Sequence, residues 1–321
     1  PHTKGQKVPA IAHKEIAAGA IGVTCAKLGE AEVMAAAGIR DILIANQIVG
    51  HYKIIRLVNL VPHADVIVAV DSPDNVAELD AAAVAKGVRL RVVIEVDLGM
   101  NRAGTEPGAP TVELAQRVSR CKGLHFAGLM GWEGHTIYTK EPDEKAARVA
   151  QAVGLLTSTA DTCREVGLPV DIVSCGGTGT YSLTVQQHGI TEIQAGGGIF
   201  SDVHYRTHMN VDQPYALTIM TTVTSRPNPY RIICDAGKKT MTSDAAVPKP
   251  IGLSGVKSVG LSAEHTKIEL EAPNTDLRIG DRVEFVVGYS DTTVHLHEEM
   301  HGIRDGHVEV VWPILGRGKL Q

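Results

Sequence analysis

Aromatic residues are scarce: three Phe, two Trp and seven Tyr make 4% of 321 residues. The apolar content of 44% therefore rests on Val, Ile, Leu and Ala, and 33 glycines supply turns between them. Cysteine is sparse as well. Cys25, Cys121, Cys163, Cys175 and Cys234 are odd in number, scattered, and contain no CxxC pair. That pattern excludes a disulfide framework and a structural zinc site, and it fits a reducing cytoplasm. Positive charge is in deficit, with 31 Lys and Arg against 36 Asp and Glu and a net charge of −5. No basic field is left to attract nucleic acid or an anionic membrane. No apolar run reaches the length of a membrane span. No signal peptide is visible, and the sequence opens on Pro1 rather than an initiator Met.

Two patterns alternate over the first two hundred residues. Short β-branched runs end in Gly, Asn or Asp, and longer Ala- and Leu-rich runs at helical spacing follow them. The strand candidates are 20–25, 41–46, 65–71, 90–97, 125–131, 171–176 and 191–196. Each is nearly continuously apolar, as a parallel strand covered on both faces requires. The segment ending at Lys4, with "VPAIAHKEIAAG" as its helix, makes an eighth unit. The expected fold is α/β: a (β/α)8 TIM-type barrel over residues 1–205 whose first strand is truncated, followed by an all-β domain over 206–321. An open doubly wound sheet is the runner-up. In the second domain helical periodicity nearly disappears, and turns fall at "RPNP", "APNTD" and "RDG".

In such a barrel function sits at the C-terminal ends of the strands. All eight ends carry polar or glycine-rich sequence: Lys4, Thr24, Asn46 and Gln47, Asp71, "DLGMNRAG" (97–104), "GWEGH" (131–135), "CGGTGTY" (175–181) and "GGGIF" (196–200). The last two supply backbone N–H groups and hydroxyls in the loops where barrel enzymes hold phosphate, although glycines also simply make turns. Read alone, Lys4 is a solvated terminal lysine. With a phosphate site beside it, it points to pyridoxal 5'-phosphate, because a lysine amine condenses with a carbonyl.

The ordered set "PHTK", "DILIANQIVG", "EVDLGMNRAGT", "CGGTGTY", "EIQAGGG", "DVHY", "DAGKK" and "HLHEEMHGIRDG" resembles the D-threonine aldolase and D-serine dehydratase family. These are fold-type III pyridoxal-phosphate enzymes related to alanine racemase, and the resemblance runs over nearly the whole chain. It implies that Lys4 carries the cofactor and that Arg102 faces its phenolic oxygen. It also implies that Gly177, Thr178, Gly179, Gly196 and Gly197 cradle its phosphate. Asn46 and Gln47 line the pocket or cap structure, and Cys175 is structural. Where the family commonly reads Tyr-His-Gly, this chain has Trp132-Glu133-Gly134. Trp132 becomes a pocket wall and Glu133 a catalytic carboxylate, or else a cap or a partner of His135.

The family's His-x-Asp or His-x-Cys metal motif falls on Tyr289 and Asp291. The Asp is aldolase-like, whereas Tyr289 removes a nitrogen ligand. A divalent cation (Mn, Mg or Zn) on Asp291 is expected only if neighbours such as His295 and His297 rearrange. At strand spacing these two share a face with Asp291. Otherwise Tyr289 is an acid–base group in a site without metal. The leading expectation is a lyase cleaving a D-3-hydroxy amino acid to glycine and an aldehyde, with Lys4, Glu133 and Tyr289 catalytic. The alternatives are an ammonia-lyase of the D-serine dehydratase kind, an amino-acid racemase, a non-catalytic cofactor carrier and an inactive fragment. The expected partners are a small D-amino acid and a second copy in a homodimer, without nucleic acid or membrane.

Overall fold

The computed structural model describes residues 1–321. In the first part of the chain lie β1 (Val23–Cys25), β2 (Asp41–Gln47), β3 (Asp65–Val70), β4 (Leu90–Val96), β5 (Leu124–Gly131), β6 (Ile172–Cys175) and β7 (Glu192–Ile193). They form one sheet in sequence order, and every neighbouring pair is parallel. Helices α1 (Pro9–Ala17), α2 (Leu28–Ala36), α3 (His51–Leu60), α4 (Pro73–Lys86), α5 (Ala109–Ser119), α6 (Pro142–Glu165) and α7 (Tyr181–Thr184) are interleaved with the strands. Helix α4 shows why these boundaries are local. The Ser72 hydroxyl accepts from Asp74 N and Asn75 N, Pro73 opens the first turn, and Gly87 ends the helix in the left-handed region at φ 73°.

Both faces of the strands are buried, which explains their unbroken apolar runs. Leu90, Val92, Ile94 and Val96 of β4 join the large cluster with Leu79, Val118 and Leu156 of the helices. Val93 points the other way, into a second cluster with Leu43, Ala69, Ala127, Met130 and Ile172. The eighth position of the ring is taken by Pro1 and His2. Thr24 N donates to the Pro1 carbonyl at 2.8 Å, and His2 makes a parallel bridge to Thr24. After β7, Gly196 packs so closely on the His2 backbone that a Cβ there would overlap it. His2 thus bridges β1 and lies against the loop after β7, and the expected curled parallel sheet with interleaved helices is found.

The chain divides into two compact units, Pro1–Gly196 with Gly318–Gln321, and Gly197–Arg317. The division falls earlier than the expected 205/206. Helix α8 (Val203–His208) belongs to the second unit because Val203 N and His204 N donate to the Val287 and Gly288 carbonyls. The tail returns to the first unit, where Gly29 N donates to the Gln321 carbonyl at 2.6 Å.

The second unit holds β8 (Thr218–Asn228), β9 (Arg231–Cys234), β10 (Lys249–Pro250), β11 (Val256–Leu261), β12 (Thr266–Leu270), β13 (Arg282–Val286), α9 (Ser290–Val294), β14 (Glu299–Arg304) and β15 (His307–Pro313). Six of the strands pair in the order β10-β13-β8-β9-β12-β11, and β14 pairs with β15. Val223, Ile232, Met241, Ile268 and Phe285 fill its core. Strand β11 was hidden in the sequence by exposed Lys257 and Ser258 at a sheet edge. No helix is long and apolar enough to cross a membrane.

Candidate active site

Lys4 sits on a 3-10 turn, Thr3–Gly5, immediately after the Pro1–His2 segment. Its side chain is exposed while its neighbour Thr3 is fully buried. The Thr3 hydroxyl lies 3.2 Å from the Thr24 carbonyl and 2.6 Å from Glu30 Oε1. Glu30 is itself buried, and its Oε2 accepts from Ala26 N at 3.0 Å and lies 3.5 Å from Lys7 Nζ. The lysine that ought to fray is therefore bolted to β1 and α2 by a buried polar network. The His2 Nδ1 accepts from Lys4 N at 3.3 Å. Burial, with the positive charges of Lys4 and Lys7 nearby, holds the His2 imidazole well below its ordinary range.

Arg102 stands on the loop after β4. Its Nη2 is 3.6 Å from Glu95 Oε1, and the guanidinium is 56% exposed while Glu95 is buried. Gln47 Nε2 donates to the other Glu95 oxygen at 2.6 Å. Asn46 acts structurally, donating to the Ala26 carbonyl at 2.9 Å. The loop is shaped by Asp97, which accepts from Gly99 N and Asn101 N, and by Asp71, which accepts from Gly104 N.

Glu133 is 0% exposed. Its Oε1 accepts from the Thr180 and Thr184 hydroxyls at 2.7 and 2.6 Å, and its Oε2 accepts from Gly176 N at 3.2 Å. It thus ties the end of β5 to the glycine loop after β6. An open catalytic base needs a lone pair facing substrate, whereas this carboxylate is taken up within the fold. The alternative pairing with His135 is not formed either, since His135 Nδ1 is buried without a partner.

The Trp132 indole lies against Gly177 and Gly134, where a Cβ would overlap the ring. Gly177 is therefore glycine because of Trp132, whatever else the loop binds. Thr178 and Thr180 are buried in the same turn, and Thr180 N donates to the Gly177 carbonyl. Cys175 is fully buried with its thiol pushed up by desolvation, as a structural cysteine should be. Gly196 is required by the approach of His2, and Gly197 by the ring of Tyr205. An exposed lysine on a rigid base, an arginine backed by a carboxylate and a tight glycine–threonine turn together fit a phosphorylated aldehyde cofactor. A cavity lined by Pro1, Val23, Ile42, Asp65 and Glu192 lies at the opposite, N-terminal ends of the strands.

In the second unit the Tyr289 hydroxyl donates to Asp291 Oδ2 at 3.1 Å. The expected strand face uniting Asp291, His295 and His297 does not exist. Residues 290–294 turn into α9, and the His297 Nε2 bonds the Thr240 carbonyl at 2.7 Å. No three His, Cys, Asp or Glu side chains come together as a metal-holding group. At 289 and 291 the chain thus offers a phenol and a carboxylate and no nitrogen ligand. Next to Tyr289 lies His204, with ring centroids 5.1 Å apart in an edge-on contact. Burial lowers the His204 pKa.

Thr3, Glu30 and Glu95 escaped the sequence reading. The signal was there for the two acids, each of which interrupts an apolar run, "GEAEVMAAA" and "RVVIEV". A lone carboxylate in a buried element needs a polar partner, and both have one.

Residues 2–203 match the model of the alanine racemase N-terminal domain, and residues 216–303 match that of a putative serine dehydratase domain. A D-threonine aldolase of an Arthrobacter species is 35% identical over 322 residues, which span 99% of this chain and 85% of that protein. A 3-hydroxy-D-aspartate aldolase of Paracoccus denitrificans (strain Pd 1222) is 33% identical over 315 residues, 95% of this chain and 81% of that one. The crystal structure of D-threonine aldolase from Filomicrobium marinum superposes with a TM-score of 0.96 at 34% identity, covering 100% of this chain and 88% of that one. This chain belongs to the D-threonine aldolase family, built on an alanine racemase N-terminal domain.

Proposed function

We propose that the protein is a pyridoxal 5'-phosphate-dependent lyase that splits the Cα–Cβ bond of a D-3-hydroxy amino acid into glycine and an aldehyde. The observation that carries the reading is the placement of Lys4, an exposed amine on a buried threonine at the mouth end of the strands. When bound, the cofactor takes up the electron pair left at the substrate's Cα. Lys4 Nζ would hold the cofactor through its carbonyl carbon, from an exposed position next to buried Thr3. Arg102, steadied by Glu95, would orient the ring through its phenolic oxygen. The turn of Gly177, Thr178 and Gly179 would take the phosphate, with Gly196 and Gly197 as the second loop. Glu133 holds that turn in place instead of moving a proton. Trp132 walls the turn and keeps water from it. To the Tyr289–Asp291 pair of the second unit we assign the uptake of the proton of the substrate's 3-hydroxyl.

Carbon–carbon cleavage is favoured over dehydration by the pattern of likeness. Aldolases are 33–35% identical over nearly the whole chain, whereas a D-threo-3-hydroxyaspartate dehydratase of Delftia sp. (strain HT23) is 29% identical over 249 residues. A cytoplasmic homodimer completes the proposal, and its five free cysteines suit a reducing compartment.

The test is product analysis with the cofactor-loaded protein and D-threonine. Glycine and acetaldehyde are expected. Release of 2-oxobutanoate and ammonia would replace cleavage by dehydration, and deuterium wash-in at Cα from both enantiomers would replace it by racemisation. Tyr289→Phe should lower kcat with little change in KM.

A further inference from the structure

The second unit contains a close imidazole pair that the proposed reaction does not use. His204 and His208 are four residues apart on α8, so both side chains leave one face of the helix one turn apart. Their Nδ1 atoms face each other at 2.9 Å, with ring centroids 5.1 Å apart and planes at 77°. His204 is buried and His208 is exposed, which gives the pair one fixed ring and one open to solvent. The fixed ring is held on two sides. It packs edge-on against Tyr289, and it bonds the backbone at Ala245. Asp202 and Asp244 bring negative charge to it.

This spacing has a specific meaning for a metal ion. With metal–imidazole bonds of about 2.1 Å, two cis nitrogens of a six-coordinate zinc or nickel ion stand about 3.0 Å apart, against about 3.4 Å in a tetrahedral site. The observed separation matches the six-coordinate geometry. We propose that His204 and His208 chelate a divalent ion of the zinc or nickel class, distinct from Tyr289 and Asp291. Nitrogen ligands select such ions over magnesium, calcium and manganese, which prefer oxygen. No third His, Cys, Asp or Glu completes the group, so water fills the remaining positions. Without metal the two rings share one Nδ1 proton. With metal, His208 carries its proton on Nε2, which its exposed ring can turn to water. A bonded neighbour that fixes a ligand ring is the usual support of a histidine site, and Ala245 supplies it.

The inference stands apart from the proposed reaction, because its readout is bound metal and not turnover. The experiment is equilibrium dialysis of the whole, cofactor-loaded chain against Zn2+ and, separately, Ni2+, with elemental analysis of the retained ion. One ion per chain is expected. Its affinity should fall about tenfold or more in His208→Ala and stay unchanged in Asp291→Asn. His208 is exposed, so its replacement leaves the fold intact, and matching far-UV circular dichroism checks this. Retention of no ion, equal affinity in the wild type and His208→Ala, or loss of the ion in Asp291→Asn alone would overturn the site. Each of those results would leave the 2.9 Å contact as a hydrogen bond and nothing more.

Discussion

The Glu133 carboxylate meets the Thr184 hydroxyl at 2.6 Å, and neither residue is exposed to solvent. The same carboxylate holds Thr180 and Gly176 N. One side chain at the end of β5 therefore fixes the whole turn to which we assign the phosphate. Stranding a buried donor costs about 1–3 kcal/mol, and Glu133→Ala would take the carboxylate from Gly176 N and leave the Thr180 and Thr184 hydroxyls with only the Gly177 and Thr180 carbonyls. That variant should melt several degrees lower and lose cofactor on dialysis. Glu133→Gln keeps an oxygen for the threonines but can turn an amide N–H toward Gly176 N. Its cofactor affinity should fall while kcat at saturating cofactor is kept. A collapse of kcat with affinity unchanged would restore Glu133 as a base.

Lys4→Ala should abolish the cofactor's visible absorbance after dialysis while leaving the melting temperature of the cofactor-free protein unchanged, since the lysine is exposed. Thr3→Val acts differently. It removes the hydroxyl that joins Thr24 and Glu30 and leaves a buried carboxylate oxygen short of a partner. A loss of about 1–3 kcal/mol is expected in denaturant unfolding. Equal stability of Thr3→Val and wild type would show that the network does not anchor Lys4.

Gly177→Ala should fail where most Gly→Ala changes in a loop are tolerated. The new methyl would collide with the Trp132 ring. Combining it with Trp132→Ala should recover stability relative to Gly177→Ala alone, as expected for residues in direct contact. If the two substitutions are additive in thermal melts, something other than the indole requires glycine at 177.

Stability should depend on pH through His2. Its folded pKa is depressed well below the unfolded value of about 6.5. Between the two values the unfolded chain binds the extra proton, so stability rises with pH across that window and is lost as pH falls through it. Thermal melts should therefore climb with pH up to about 6.5 and level off above it. His2→Asn should flatten that rise, and an unchanged slope would assign it to another group.

The barrel was legible because parallel strands covered on both faces are written as continuous apolar runs, and Ser72, Pro73 and Gly87 mark a helix in purely local terms. Counting seven such units placed Lys4 at the end of an eighth strand position, where the His2 bridge to Thr24 is found. Two site readings failed for reasons no local pattern carries. Glu133 looked like a replacement for a basic group because sequence shows a residue's type, and not that Thr180, Thr184 and Gly176 N close around it. Asp291, His295 and His297 looked like one strand face, but the chain turns into α9, and His297 is drawn to the Thr240 carbonyl.

By itself, the sequence determined the order of strands and helices, the two kinds of unit and the position of Lys4 after the first strand, because periodicity, capping and turn chemistry act within a few residues of one another. Only the tertiary structure decided which polar groups are partners. Thr3 and Glu30 are 27 residues apart, Glu133 and Thr184 are 51 apart, and their hydrogen bonds form only where burial removes water as the competing partner.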